Sequence, residues 1–465
     1  MTTAIEPAAT RLLAAFRADV LHGAPLPCTS VHPDDFMLRF FLLHHHGHWE
    51  GALFEYFRSG LGASRVIGGL LHHWFGPSLR ELSVLDFASG FGRVTRWLMQ
   101  ELAPRRVWVS DIFPAAVEFQ RRAFGVHGFS STAHPEQLEC GETFDCVIAS
   151  SLFSHLPEET FEPWLRRLYG LLRPGGVLLF SVHDRSIREP ATAPHPESGL
   201  EFDRLSEIPE LEADRYGTSW VDEPFVRAAV SAACGGSPCV RLPRALWSFQ
   251  DLYAVGKGRE LTPPPRVAHE PIGFLEGATR SPSGRWLSLH GWTHDPLGTG
   301  VAQLDIRLDG ERVAACPVDF PREDVAAALG LPDVVGGFSI SVASSGATMP
   351  GETQLSLIAV GKNGSEFPLH LGTVEATVMG LLVRDQSRAG QAMALRLRGE
   401  EEARIDAERR AAAALAERAD AEGRAAAAAA SGELLHREVE VMRQSRFWKL
   451  RDAWWSLKGR IRPDS

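Results

Sequence analysis

The chain has 465 residues, 44% of them hydrophobic, and a formal net charge of −10. That length suits two or three domains of ~100–200 residues each, and the acidic balance argues against nucleic acid as a partner. The six cysteines are scattered. Cys234 and Cys239 have no second pair or histidine set beside them, so no metal site is spelled and a reducing compartment is expected.

Residues 1–78 are predicted to be helical. The first twenty residues form an amphipathic stretch that carries Glu6 and Asp19 and lacks the layout of a signal peptide. No run approaches the ~20 apolar residues of a membrane span, so a cytoplasmic location is expected. His44, His45, His46 and His48 follow an apolar segment. Neighbouring residues point in different directions on a helix, so the cluster reads as a helix end and not as a ligand set.

The stretch Val84 to Leu98 organises the middle of the chain. Val84, Leu85 and Phe87 read as a buried strand, Gly90 and Gly92 as a tight turn, and Val94, Trp97 and Leu98 recur at helical spacing. Glycines let the backbone approach a ligand, and the free N–H groups of a first helical turn point at it. A second apolar strand, Val107 to Val109, ends at Asp111, about twenty residues beyond the turn, where a carboxylate can hold ribose hydroxyls. Strands are predicted near 84–88, 106–110, 127–131, 144–150 and 176–182. Helices are predicted near 93–102, 114–123, 135–139 and 158–172, which is the alternation of a parallel sheet. Pro224 to Ala233 reads as a helix and Trp247 to Val255 as a last strand.

The dinucleotide fingerprint is not met, because Ala88 precedes Gly90-Phe91-Gly92 and no third glycine comes after them. Asp86-Phe87-Ala88-Ser89-Gly90-Phe91-Gly92 instead resembles motif I of class I S-adenosylmethionine-dependent methyltransferases, with Ala88 in place of the first glycine. Asp111 and the turn Leu172-Arg173-Pro174-Gly175-Gly176 stand in that family's order and spacing. The resemblance implies an α/β fold with a Rossmann-like seven-stranded sheet and reversed last strand over 79–258, and S-adenosylmethionine as cofactor. The contacts it implies are Tyr56, Asp86, Ala88, Ser89, Gly90, Gly92, Asp111, Ile112 and Ser150. The usual adenine-binding acid is missing after the third strand, where Glu136, His134 or a backbone N–H could serve.

Ligands of open α/β sheets sit at the carboxyl ends of the strands. That rule selects His155 and His183 as candidate bases for a hydroxyl acceptor, an aid worth ~10²–10⁴-fold in rate; either could equally shape the cofactor pocket. Tyr216 and Trp220 could stack on a sugar ring or form the core of a lid over residues 189–198.

Residues 256–271 read as a proline-stiffened linker, and 272–375 as a small all-β sandwich with turns at Asp309-Gly310 and Asn363-Gly364. This stretch resembles β-sandwich modules appended to bacterial enzymes of surface-polysaccharide synthesis. Residues 384–445, rich in Ala, Glu and Arg, are predicted to form a long C-terminal helix or coiled coil that could support homo-oligomers. Residues 446–465 read as a basic amphipathic helix, with Arg446 to Arg462 suited to an anionic membrane surface or to a partner protein. Its S-x-F-W-K-L-R ending resembles the C-termini of coiled-coil-tailed transferases of polysaccharide gene clusters. The expected function is O-methylation of a saccharide or glycolipid near the inner membrane face. The alternatives are a methyltransferase of a soluble small molecule and a non-catalytic scaffold that keeps the fold.

Overall fold

In a computed structural model of the chain, residues 2–384 are described, apart from 25–27, 189–196, 207, 209, 265–269, 296–299, 330, 332, 345, 347 and 383. The predicted coiled coil, the basic tail and most of the predicted lid loop therefore lie outside the described residues. Among the described residues no helix is long and apolar enough to cross a membrane.

Three helices come first: α1 (Thr2–Asp19), α2 (Phe36–His44) and α3 (Trp49–Phe75). Asp35 starts α2 by accepting the N–H groups of Met37 and Leu38, and His48 starts α3 by accepting that of Gly51. Such caps satisfy donors that the first helical turn leaves free. The histidine cluster thus ends one helix and begins the next.

The central sheet is built from β1 (Val84–Phe87), β2 (Val107–Asp111), β3 (His127–Ser130), β4 (Phe144–Ala149) and β5 (Leu172–Asp184), all parallel. The crossovers include α4 (Thr95–Leu98), α5 (Pro114–Phe124) and α6 (Glu158–Gly170). Val84, Leu85, Val107, Val109, Val147, Ile148, Leu178 and Leu179 are fully buried, the continuous apolar pattern of strands covered on both faces. After β6 (Leu200–Asp203), β7 (Thr218–Val221) and α7 (Glu223–Ala233), β8 (Cys239–Leu246) and β9 (Gln250–Gly256) finish the sheet. β9 runs antiparallel to both β5 and β8, so the main order is β3-β2-β1-β4-β5-β9-β8.

The sheet has nine strands where seven were expected. The cause is the length of β5. Its residues Val177 to Val182 pair with β9, and the overrun His183 and Asp184 pairs with β7 of the β6–β7 hairpin. The helix predicted over 93–102 is regular only at Thr95–Leu98. The β-branched Val94 and Thr95 disfavour it. Arg96 also turns inward, where its guanidinium donates to the carbonyls of Gly92, Cys28 and Ser30 and so competes for a first-turn acceptor. The segment predicted as a helix near 135–139 is a single 3₁₀ turn, Pro135–Gln137.

Residues 272–373 form two antiparallel four-stranded sheets. One has the order β10 (Ile272–Arg280), β11 (Trp286–His294), β15 (Val335–Ala343), β14 (Phe320–Pro321). The other runs β13 (Glu311–Pro317), β12 (Val301–Leu308), β16 (Gln354–Gly361), β17 (Glu366–Thr373). Leu287 and Leu289 of the first meet Leu304, Ile306, Leu355 and Leu357 of the second in one core. This sandwich is not hung on a free tether. Ile358 and Leu371 belong to the same core as Phe16, Leu53 and Phe57 of the N-terminal helices, and Arg307 donates to the Asp19 carbonyl at 2.7 Å. The described ends of the predicted linker are also held: Trp74 Nε1 donates to the Thr262 carbonyl, and Arg58 pairs with Glu270.

Candidate active site

The turn after β1 is built from three left-handed residues: Ala88 at φ +56°, Gly90 at +54° and Gly92 at +81°. Ala88 holds the bend that the missing glycine would hold freely, at a cost of ~1–2 kcal/mol. A Cβ on Gly92 would lie 2.3 Å from the Phe124 ring, whereas one on Gly90 would meet nothing within 4 Å. The first glycine faces open space and the second is wedged. Gln120 of α5 clamps the turn, donating through Nε2 to Ser89 Oγ and to the Gly90 carbonyl, each at 2.8 Å.

Two carboxylates flank this turn. Asp86 accepts the Thr95 hydroxyl at 2.6 Å. Burial, with a smaller push from Asp111, moves its pKa up to about 6, against the pull of the Thr95 hydrogen bond and Arg93. Asp111 accepts the N–H groups of Gly90 at 2.8 Å and Phe113 at 3.0 Å. Burial raises its pKa too, opposed by those backbone donors.

A cavity of about 500 Å³ opens above the turn, within the range of small-molecule sites. Asp86, Ala88, Ser89, Gly90, Asp111, Ile112, Ser150, His155, His183, Tyr216 and Trp220 all line it. Two predicted contacts do not. Gly92 is wedged behind the turn. Tyr56 is fully buried in the helical core, where its hydroxyl donates to Asp35 at 2.6 Å and accepts from Arg96 at 3.1 Å; it props the wall, and the neighbouring Asp35 faces the cavity. Past β3, Ser131, Thr132 and Ala133 line the cavity while His134 and Glu136 stand outside it. His134 contacts Arg215 at 3.0 Å, so backbone and hydroxyl groups stand where an adenine acid was sought.

The two histidines are held through different ring nitrogens. His155 is 6.2 Å from His183 between ring centres and stacks on Tyr216 at 4.6 Å. Its Nδ1 lies 2.6 Å from the Gly217 carbonyl. A carbonyl only accepts, so Nδ1 carries the proton and Nε2 the lone pair. His183 is held through Nε2, at the end of a hydrogen-bond chain. The Ser151 N–H donates to Ser181 Oγ, and Ser181 Oγ donates to Gln250 Oε1. The Gln250 amide nitrogen then donates to Ser151 Oγ and to His183 Nε2. The lone pair of His183 is already engaged, and burial, with a smaller contribution from repulsion by His155, lowers its pKa to about 3. Trp220 is 2% exposed, with the Arg188 guanidinium over its ring at 4.7 Å. Both predicted stacking rings thus serve first as walls of the histidine pocket.

Sequence reasoning missed the upper wall, formed by Phe36 and Phe40 of α2, by Trp247, Ser248 and Phe249, and by Glu270, Pro271 and Ile272 at the start of the sandwich. The strand predicted from Trp247 begins at Gln250. Trp247 and Ser248 form a hairpin tip at φ +53° and +60°, a conformation usually signalled by Asn-Gly. Nothing in the sequence Trp-Ser announces it.

Residues 85–178 match the family model described as "Methyltransferase domain". Over 99 residues the chain is 29% identical to malonyl-[acyl-carrier protein] O-methyltransferase of Porphyromonas gingivalis. That alignment covers 21% of this chain and 37% of the relative, so the chain spans little more than a third of the curated protein it matches. Among solved structures, similarity extends to the 1,6-didemethyltoxoflavin-N1-methyltransferase of Burkholderia thailandensis, at 20% identity, 50% of this chain, 94% of that chain and a TM-score of 0.31. A putative O-methyltransferase of Nostoc punctiforme is similar at 16% identity, 54% of this chain, 70% of that chain and a TM-score of 0.33. The residues around the turn fit the cofactor that the sequence motif implies: a glycine with open space above it, a ribose-height carboxylate on the adjacent strand and a cavity of sufficient size. The strand order, the glycine turn and the paired carboxylates lie in the stretch 85–178 that matches the methyltransferase domain model, and the cavity above them fits S-adenosylmethionine as cofactor.

Proposed function

We propose that the chain methylates a hydroxyl oxygen of a saccharide or glycolipid, with His155 as general base. The observation that carries this reading is that His155 is anchored through Nδ1, whereas the Nε2 lone pair of His183 is taken by Gln250. A hydroxyl is a poor nucleophile until a base takes its proton as the carbon–oxygen bond forms. His155, with Nδ1 fixed on the Gly217 carbonyl, carries its lone pair on Nε2, the nitrogen that would take that proton,. His183, committed to Gln250 and held near a pKa of 3, positions the β5 end of the cavity and does not take a proton at neutral pH. Bound S-adenosylmethionine would supply an electrophilic methyl group. Asp111 would hold its ribose, and the open face of Gly90 would admit its backbone contact. The aromatic wall of Phe36, Phe40, Trp220 and Phe249 keeps water from the reacting atoms, and alignment of the acceptor supplies most of the remaining rate.

His155→Ala is expected to lower turnover ~10²–10⁴-fold with S-adenosylhomocysteine affinity retained. Equal rates in His155→Ala and in the parent would remove the base assignment. The saccharide class rests on the resemblance of residues 272–375 and of the C-terminal tail. It is tested by transfer of labelled methyl from the cofactor to glycan and glycolipid fractions; label appearing only in soluble small molecules favours the alternative acceptor class. The scaffold reading predicts no cofactor binding, which calorimetry with Asp111→Ala as control decides. Docking of residues 446–462 on an anionic membrane is tested by deleting 440–465, after which binding to anionic liposomes should disappear.

A further inference from the structure

The loop that carries His155 is fastened to one short stretch of the β6–β7 hairpin. The Gly217 N–H donates to the His155 carbonyl at 2.9 Å, and the Ser219 N–H donates to the Ser154 carbonyl at 2.7 Å. Ser219 Oγ donates to the Leu156 carbonyl as well. A Cβ on Gly217 would lie 2.1 Å from the Asp203 carbonyl oxygen, so the close approach needs glycine there. Gly217 thus holds both the backbone of His155 and, through its own carbonyl, the ring Nδ1.

One hydrogen bond fixes a point on an imidazole and leaves the ring able to swing about it. The residue beside Gly217 supplies the plane. The Tyr216 ring lies 4.6 Å from the His155 ring and only 15° from parallel to it. Point and plane together set the direction of Nε2, and a general base works only within hydrogen-bond reach of the proton it takes. Tyr216 is held in turn. Its N–H and that of Arg215 both donate to the Glu212 carbonyl, at 3.0 and 2.9 Å. The Arg215 guanidinium pairs with Glu212 at 2.9 Å and contacts His134, past β3, at 3.0 Å. The excursion is closed at its foot, where Thr218 Oγ1 donates to the Leu205 carbonyl at 2.8 Å. Ile208, Leu211, Arg215 and Tyr216 of this excursion line the cavity. We propose that Tyr216 is a positioning residue that sets the ring plane of His155, and that Arg215, anchored on His134, keeps Tyr216 in place. This rests on His155 being the base.

The test reads the imidazole directly. The full chain is labelled with ¹⁵N-histidine, and His155→Ala identifies the His155 ring signals. At mildly alkaline pH the parent should show one population with the proton on Nδ1. Tyr216→Phe keeps the stacked ring and should keep that signature. Tyr216→Leu should give mixed tautomers and lower the turnover of labelled methyl into glycan and glycolipid fractions by about 2- to 10-fold, the worth of one stacked pair. The affinity of Tyr216→Leu for S-adenosylhomocysteine should not change. Arg215 is exposed, so Arg215→Ala folds without a cavity; it should move the same ring signals in the same direction by a smaller amount. Parent-like His155 signals in both Tyr216→Leu and Arg215→Ala, or mixed tautomers in Tyr216→Phe, would overturn the proposal. Mixed tautomers in Tyr216→Leu with full turnover in both that variant and His155→Ala would instead refute the base assignment on which it rests.

Discussion

Asp86 offers the sharpest test of the site, because its carboxyl is 2% exposed and has a pKa near 6 before any ligand arrives. A carboxyl raised above its ordinary 3.8 prefers its neutral form in the fold, so its stabilising contribution is full below pH 3.8 and is lost as pH rises through 6,. From 3.8 to about 6, at ~1.36 kcal/mol per pH unit, the ionised group costs the unliganded fold ~3 kcal/mol. A ligand with a cationic amino-acid end reverses that preference and drives the proton off. Binding at pH 6 should therefore release about half a proton, at pH 5 about nine-tenths, and at pH 8 almost none. Affinity should fall about tenfold for each pH unit below 6. The measurement is calorimetric titration with S-adenosylhomocysteine in two buffers of different ionisation heat. In Asp86→Asn the side-chain oxygen can still accept from Thr95, so the turn should persist while proton release disappears. Proton release that is absent at pH 6, or equal in the variant, would refute the reasoning.

Strain and packing set the other expectations. Ala88→Gly removes a left-handed Cβ worth ~1–2 kcal/mol and adds chain entropy worth ~0.4–1 kcal/mol, so the methyltransferase domain should gain about 0.5–1 kcal/mol in a thermal melt. Gly92→Ala drives a methyl into the Phe124 ring and Gln120; a loss of ~1–3 kcal/mol is expected, together with loss of cofactor binding as the turn shifts. If His183 were the base, the acid limb of the pH–rate profile would lie near pH 3; a limb well above that value excludes His183 as the base. Ending the chain at residue 262 exposes the Phe16–Leu53–Phe57 core where Ile358 and Leu371 sat, each worth ~1.5–3 kcal/mol of burial,. Poor solubility and a lowered melting temperature should result, and an unchanged melt would show that the sandwich docks without energetic consequence.

The parallel sheet was legible because its strands are buried on both faces: Val84–Phe87, Val107–Asp111 and Phe144–Ala149 are apolar runs with turn residues between them. The cofactor end was legible for a related reason, since glycines at forced backbone angles and an acid at a strand end are written into adjacent residues. The acceptor end was not. Its wall comes from α2, the β8–β9 tip and the start of β10, distant in sequence and brought together only by packing. The extra β6–β7 hairpin was missed because His183 and Asp184 look like the end of β5 and not like an edge for another strand. The family resemblance puts Tyr56 at the cofactor, but helical spacing turns its side chain to Asp35 and Arg96, while Glu55, Arg58 and Ser59 face the cavity.

The unfavourable features of the described residues gather around this cavity. Of the eight non-glycine residues at positive φ, Ala88, Ser151, Trp247 and Ser248 line it. Asp86 is buried against its ionisation there, and only partly relieved by Thr95 and Arg93. Arg241, by contrast, sits among three acids. Strain and unpaired charge persist where the surrounding structure over-determines them, and the arrival of a ligand then relieves part of the cost. A ligand with an adenosyl group and a cation answers two of these features together: the open turn and the reluctant Asp86. A protein that only kept the fold would be expected to lose such costs, because Ala88→Gly and Asp86→Asn are single-residue changes that stabilise the unliganded chain. Their retention around one cavity argues for a working cofactor site over an inherited scaffold.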